Sequence, residues 1–154
     1  MGLKYQNILV AIDGSQEAEW AFKKAINIAK ENNAKLLLVH VIDTRTFATA
    51  EAYDRTIAER ADKFASELLE NYQKTATDAG LADVDYIVEY GSPKVKIPKD
   101  IANKNKVDLI VCGATGLNAV ERFFIGSVSE HITRYANCDV LIVRTDKDAT
   151  DEEA

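Results

Sequence analysis

The feature that most constrains this chain is an alternation. Short, unbroken apolar runs trade places with segments whose apolar residues recur at helical spacing. The first run is Gln6-Asn7-Ile8-Leu9-Val10-Ala11-Ile12-Asp13, and it stops at the turn residues Gly14-Ser15. A strand that is apolar at consecutive positions has no solvent-facing side, so it belongs in a sheet covered on both faces. Ala18, Ala21, Phe22, Ala25, Ile28 and Ala29 then line one face of a helix. Ser15 stands where it would cap that helix, and Glu17 suits its positive end. Lys35 to Ile42 is a second buried run. A strand–helix–strand unit of this kind is right-handed.

The alternation continues to the end of the chain. A polar stretch from Asp43 to Thr49 precedes a long helix from about Ala50 to Ala79, stopped by Gly80. Ile57, Ala61, Phe64, Leu68 and Tyr72 are expected on its buried face. Val84 to Tyr90 reads as a third strand. Ser92 and Pro93 open a third helix, and Pro98 lacks an N–H and crowds the preceding turn, so a kink or restart is expected there. Val107 to Cys112 is a fourth strand, Ser127 to Tyr135 a fourth helix and Val140 to Arg144 a fifth strand. The class is α/β: an open five-stranded parallel sheet, doubly wound with helices on both faces, Rossmann-like with strand order 3-2-1-4-5. Such a sheet takes ligands beyond the carboxyl ends of its strands, where the order reverses. Here that point falls between the first and fourth strands, which end at Asp13 and Gly113.

Charge and length narrow the classes of function. The 154 residues are 47% hydrophobic, which suits one domain, expected over residues 1–145. The net charge is −6, but Asp146 to Ala154 hold five acids against Lys147, so −4 belongs to an acidic tail expected to be disordered and the body carries only −2. A near-neutral body has no basic patch for nucleic acid. No apolar run approaches the roughly 18 residues of a membrane span, and the N-terminus has no signal-peptide pattern. Two cysteines, Cys112 and Cys138, are too few for a disulfide framework and fall at opposite ends of neighbouring strands. A cytoplasmic protein with reduced thiols, no membrane contact and no nucleic-acid partner is expected.

The chemistry concentrates in the loop after the fourth strand. From Gly113 to Ser127 the pattern is G-x2-G-x9-G-S, formed by Gly113, Gly116, Gly126 and Ser127, and it holds three of the chain's seven glycines. Glycines let backbone N–H groups close on an anion, and the helix after Ser127 adds the positive end of its dipole. Arg122 can supply a full charge, and Asp13, across the cleft, can accept from a ribose hydroxyl or an adenine amine. Each residue also has a plainer reading. Gly113 and Gly116 suit turns, Asp13 can cap the turn after it, and Ser127 with Glu130 fits a capping box. Gathered at one cleft, they point to phosphate binding. The chain has no G-x4-G-K-[ST] loop and no G-x-G-x-x-G after its first strand, which excludes the two commonest nucleotide signatures.

Five segments together resemble the universal stress protein family. They are Ile8-Leu9-Val10-Ala11-Ile12-Asp13-Gly14-Ser15, then His40-Val41-Ile42-Asp43, and finally Val111 to Gly116, Gly126 to Glu130 and Cys138 to Arg144. The likeness spans about residues 3–145, and the glycine pattern is that of the family's ATP-binding branch. Two departures stand out, Asp139 where the family usually has Pro, and Pro98 where it usually has none. The resemblance implies a bound adenine nucleotide, ATP, with any Mg2+ or Mn2+ held mainly by the phosphates. It implies Asp13 and Val41 at the adenine and ribose, with Ala11 and Ile12 touching the base. Gly113, Gly116, Gly126, Ser127, Val128 and Ser129 would line the ribose and phosphates. It also implies a homodimer through the fifth strand. The residues agree on that last point, because Val140, Leu141, Ile142 and Val143 at a sheet edge form an apolar template that needs a cover.

The other chemically suggestive residues have structural readings. His40 and His131 lack partners at metal-ligand spacing. Cys112 has no evident positive group to activate it. Trp20 and Tyr72 suit packing, as do Phe123, Phe124 and Ile125, although a lid or dimer contact would use the same three. No general base is evident near the loop, so slow or absent turnover is expected. The function expected is therefore an ATP-binding regulatory dimer. The competing readings are a slow ATP hydrolase or phosphotransferase, with Arg122 stabilising charge, and a nucleotide-independent interaction module.

Overall fold

A computed structural model describes residues 4–44, 55–114 and 125–145. Five strands, β1 (Asn7–Ala11), β2 (Lys35–Asp43), β3 (Val84–Gly91), β4 (Leu109–Gly113) and β5 (Asp139–Val143), form one sheet in the order β3-β2-β1-β4-β5. Every neighbouring pair is parallel. The helices are α1 (Gln16–Asn32), α2 (Arg55–Asp78), α3 (Pro93–Val95), α4 (Ala102–Lys104) and α5 (Ser127–Tyr135).

Alternate residues of the continuous apolar strands face opposite ways, so each strand feeds two cores. Ile8, Val10, Leu36 and Leu38 pack with Phe22 of α1 and Leu69 of α2 on one side. Leu9, Val39, Val41 and Ile110 pack with Ile97, Ile101 and Ile132 on the other. The doubly wound sheet anticipated from the sequence is thus the observed one. Among the described residues no helix is long and apolar enough to cross a membrane.

Local signals behave as their chemistry dictates. Ser15 caps α1, its hydroxyl accepting from the Ala18 N–H at 3.1 Å. Pro98 removes a donor from the third helical segment, and the backbone answers with a π-helical stretch over Lys96–Ile101 between α3 and α4. Ser92 stands at the N-cap, but its side chain makes no capping bond.

Three expectations need correction. The strand limits shift: β1 ends at Ala11, β2 reaches Asp43, β4 starts at Leu109, and β5 starts at Asp139 and stops before Arg144. The buried face of α2 is rotated from the expected one. Ala65, Leu69 and Ala76 are fully buried, whereas Ile57 is 39% and Phe64 57% exposed. The small Ala65 and Ala76 let the helix lie close to the sheet, with Tyr72 set edge-on to Phe22 at 4.5 Å between ring centres. Finally, the capping box at α5 is not formed. Gly126 is the N-cap, Ser127 is the first helical residue, and Glu130 instead meets Arg134 at 3.1 Å.

Candidate functional site

The carboxyl ends of β1 and β4 lie side by side, because Val10 pairs with Val111. β2 runs past the end of β1, with Ala11 opposite Val39, so Val41 stands level with Asp13. Two further steps of the β1–β4 register set Gly113 beside Ile12. The parallel register therefore gathers Ala11, Ile12, Asp13, Val41 and Gly113 along one edge, at the reversal of strand order.

Asp13 has the turn-capping role that is the plainer of its two readings from the sequence. Its Oδ1 accepts from the Ser15 N–H at 2.9 Å and from the Ser15 hydroxyl at 2.5 Å, fastening the turn into α1. Its Oδ2 has no partner among the described residues, and the side chain is exposed. Ile12 is different: its N–H donates to the Val39 carbonyl at 2.8 Å, and its own carbonyl lies 2.7 Å from His40 Nδ1. A carbonyl can only accept, so Nδ1 carries the proton. Both backbone groups of Ile12 are engaged and its side chain is buried, while Ala11 and Val41 end within the packed strands. His40 thus has the structural role anticipated for it, holding the end of β1 to β2.

Gly113 is explained by packing. A Cβ there would lie 2.9 Å from Glu17 Cβ and 3.0 Å from the Glu17 carbonyl carbon, so the first turn of α1 rests directly on the end of β4. Ala114 then ties the chain to β5 through a 3.0 Å bond from its N–H to Val143, and its carbonyl accepts from the Gly126 N–H at 2.8 Å. The two ends of the glycine-rich segment are joined at this point. Gly116, Arg122, Phe123 and Phe124 lie outside the described residues, as does the acidic tail.

α5 begins beside this junction. Its first amides, those of Ser127, Val128 and Ser129, have no carbonyl four residues back within the helix. The Ser127 side chain is exposed and bonds to none of the described residues. Ser129 is 5% exposed, and its hydroxyl donates to the Gly113 carbonyl at 2.5 Å. This bond clamps the helix start to the strand end. The same serine touches Cys112, whose thiol is nevertheless pushed up to about 11 by burial, so it is not an activated nucleophile. Sequence patterns pick out these residues, but they do not reveal the Ser129 clamp or the contact of Glu17 with Gly113, since both join distant segments. Among the described residues no group of His, Cys, Asp or Glu is arranged to hold a metal ion. At the far edge of the sheet, Val140, Leu141 and Ile142 of β5 are half-covered, whereas Val143 is 2% exposed and belongs to the core.

An open parallel sheet with converging strand ends and a glycine-bounded segment leading into a helix start defines a Rossmann-like α/β protein. The chain belongs to the universal stress protein family, whose sequence profile matches residues 4–144. A Staphylococcus haemolyticus chain that carries the family name is 56% identical over 145 residues, covering 94% of this chain and 88% of its own length. The universal stress protein UspA of Lactobacillus plantarum superposes with a TM-score of 0.82 at 33% identity, covering 93% of this chain and 100% of that one. A universal stress protein crystallised in complex with cAMP gives 0.69 at 27% identity, over 93% of this chain and 99% of that one.

Proposed function

We propose that the chain is a regulatory protein that binds an adenine nucleotide, ATP, at the carboxyl edge between β1 and β4, with slow or no turnover. The observation that carries this reading is that one sheet edge holds both an Asp13 carboxylate oxygen without a partner among the described residues and, clamped to Gly113, the start of α5 with its exposed Ser127 hydroxyl and first-turn amides. A carboxylate accepts from ribose hydroxyls or an adenine amine, and helix-start amides with a serine hydroxyl donate to phosphate oxygens. Gly116 and Arg122, within the same glycine pattern, would extend the cradle, and Mg2+ or Mn2+ would be held mainly by the phosphates. A relative that binds cAMP at 27% identity supports an adenine ligand in this fold. The half-covered Val140, Leu141 and Ile142 on an edge strand support a homodimer through β5.

The test is to heat-denature protein purified without added nucleotide and assay the supernatant, together with equilibrium dialysis against ATP. Adenine nucleotide in the supernatant, or saturable ATP binding, is the expected result. An empty supernatant with no binding up to about millimolar ATP contradicts the reading.

A further inference from the structure

One aromatic side chain at the carboxyl edge is left without a role by the fold. Phe64 is 57% exposed, the most uncovered large apolar side chain among the described residues. It has no aromatic partner there, and its ring tip lies 4.0 Å from the point where a Cβ on Gly14 would stand. Its position is fixed from two sides. Ala65, the next residue, is fully buried, and Asp62 accepts a 3.2 Å hydrogen bond from the Tyr90 hydroxyl at the carboxyl end of β3. Gly14 takes φ +88°, a conformation that favours glycine, so no side chain stands between the ring and the turn. Asp13, whose Oδ2 has no partner among the described residues, is one Cα step of about 3.8 Å from Gly14.

A scattered exposed apolar residue needs no explanation. Phe64 differs because its ring tip faces the Gly14 turn, next in the chain to Asp13, whose carboxylate is proposed above to read the polar edge of the ligand. A base meeting Asp13 through its amine, or through its ribose, still has an apolar face to cover. Packing that face on the Phe64 ring removes both surfaces from water. We propose that Phe64 is a further binding residue of this site, an apolar platform for the base of the nucleotide. The inference rests on the nucleotide reading above and adds to it what holds the base as distinct from the phosphates.

The experiment is calorimetric titration of the full chain with ATP, beside thermal melting and sedimentation. Phe64→Ala is expected to weaken ATP binding about tenfold, the size of one base–aromatic contact. Its melting curve should stay with the wild type, since the ring is not in the core. Phe64→Tyr, which keeps the platform, should restore wild-type affinity. Wild-type ATP affinity in Phe64→Ala overturns the proposal, as does Phe64→Tyr binding no better than Phe64→Ala. If Phe64→Ala alters self-association and leaves ATP affinity alone, the ring serves a protein contact and the proposal falls. A wild-type protein that binds no ATP overturns this inference together with the nucleotide reading, whereas binding insensitive to position 64 overturns this inference alone.

Discussion

The two ends of the sheet use their polar groups in opposite ways. At the amino edge, side chains close off the chain's own backbone. Asp108 accepts from the Gln6 and Asn7 N–H groups at 2.9 and 3.0 Å, Asn32 accepts from the Tyr5 N–H at 2.9 Å, and the Tyr5 hydroxyl donates to Asp139 at 2.6 Å. At the carboxyl edge, Asp13 keeps one oxygen unpartnered among the described residues, Ser127 is exposed at a helix start, and Phe64 lies open. The amino edge is built for stability and the carboxyl edge has capacity left over. That asymmetry follows from parallel topology, which brings every strand-to-helix turn to the same side.

The largest expected effect tests where the contrast stops. Gly113 lies at the functional edge but is explained by packing, so Gly113→Val should cost about 3 kcal/mol by forcing β4 and α1 apart, read as a lowered denaturant midpoint. Asp108→Ala should cost about 2 kcal/mol by leaving two backbone donors without their acceptor, lowering the melting temperature by about 6 °C. ATP affinity, measured well below the transition, should not change. Asp13→Ala is expected to do the reverse, costing about 1 kcal/mol of stability but weakening ATP binding by about tenfold or more. Equal losses of affinity from Asp13→Ala and Asp108→Ala would erase the distinction between the edges.

The smallest effect concerns the thiols. Burial raises the Cys112 thiol to about 11 from an ordinary 9.0, with the Ser129 hydrogen bond pulling weakly the other way. Cys138 is also raised, first by burial and then by Asp108 and Asp139. A raised thiol pKa favours the neutral form in the folded state. The Cys112 contribution to stability is therefore complete below about pH 9 and is lost as pH rises toward about 11. Thermal melts across that range should show the decline, and a thiol reagent at neutral pH should modify half-buried Cys138 before Cys112.

Much of this was legible in the sequence, because it depends on local pattern. Continuous apolar runs such as Ile8 to Ile12 require cover on both faces, and the positions of Ser15 and Pro98 announce a helix cap and an irregular turn. The register then brings Asp13 and Gly113 together with no further information. What escaped the sequence depends on contacts between distant segments. Leu68 and Tyr72 do pack on the core as read, but Ile57 and Phe64 are as apolar as the buried Leu69, and the packing of Ala65 and Ala76 against the sheet decides which of them is covered. The Glu17 contact behind Gly113 and the Ser129 hydroxyl on the Gly113 carbonyl arise the same way. For that reason the glycine pattern marks a junction that the structure does form, while the packing of Gly113 against Glu17 could not be read from it.

The most direct test of the account is an amide NMR titration of the full chain with ATP. The predicted result is saturable shifts at Asp13, Gly14, Gly113, Gly126, Ser127 and Val128, with the amides of Gln6, Asn7 and Asn33 at the opposite edge unmoved. Shifts confined to the amino edge, or none at saturating millimolar ATP, would contradict it.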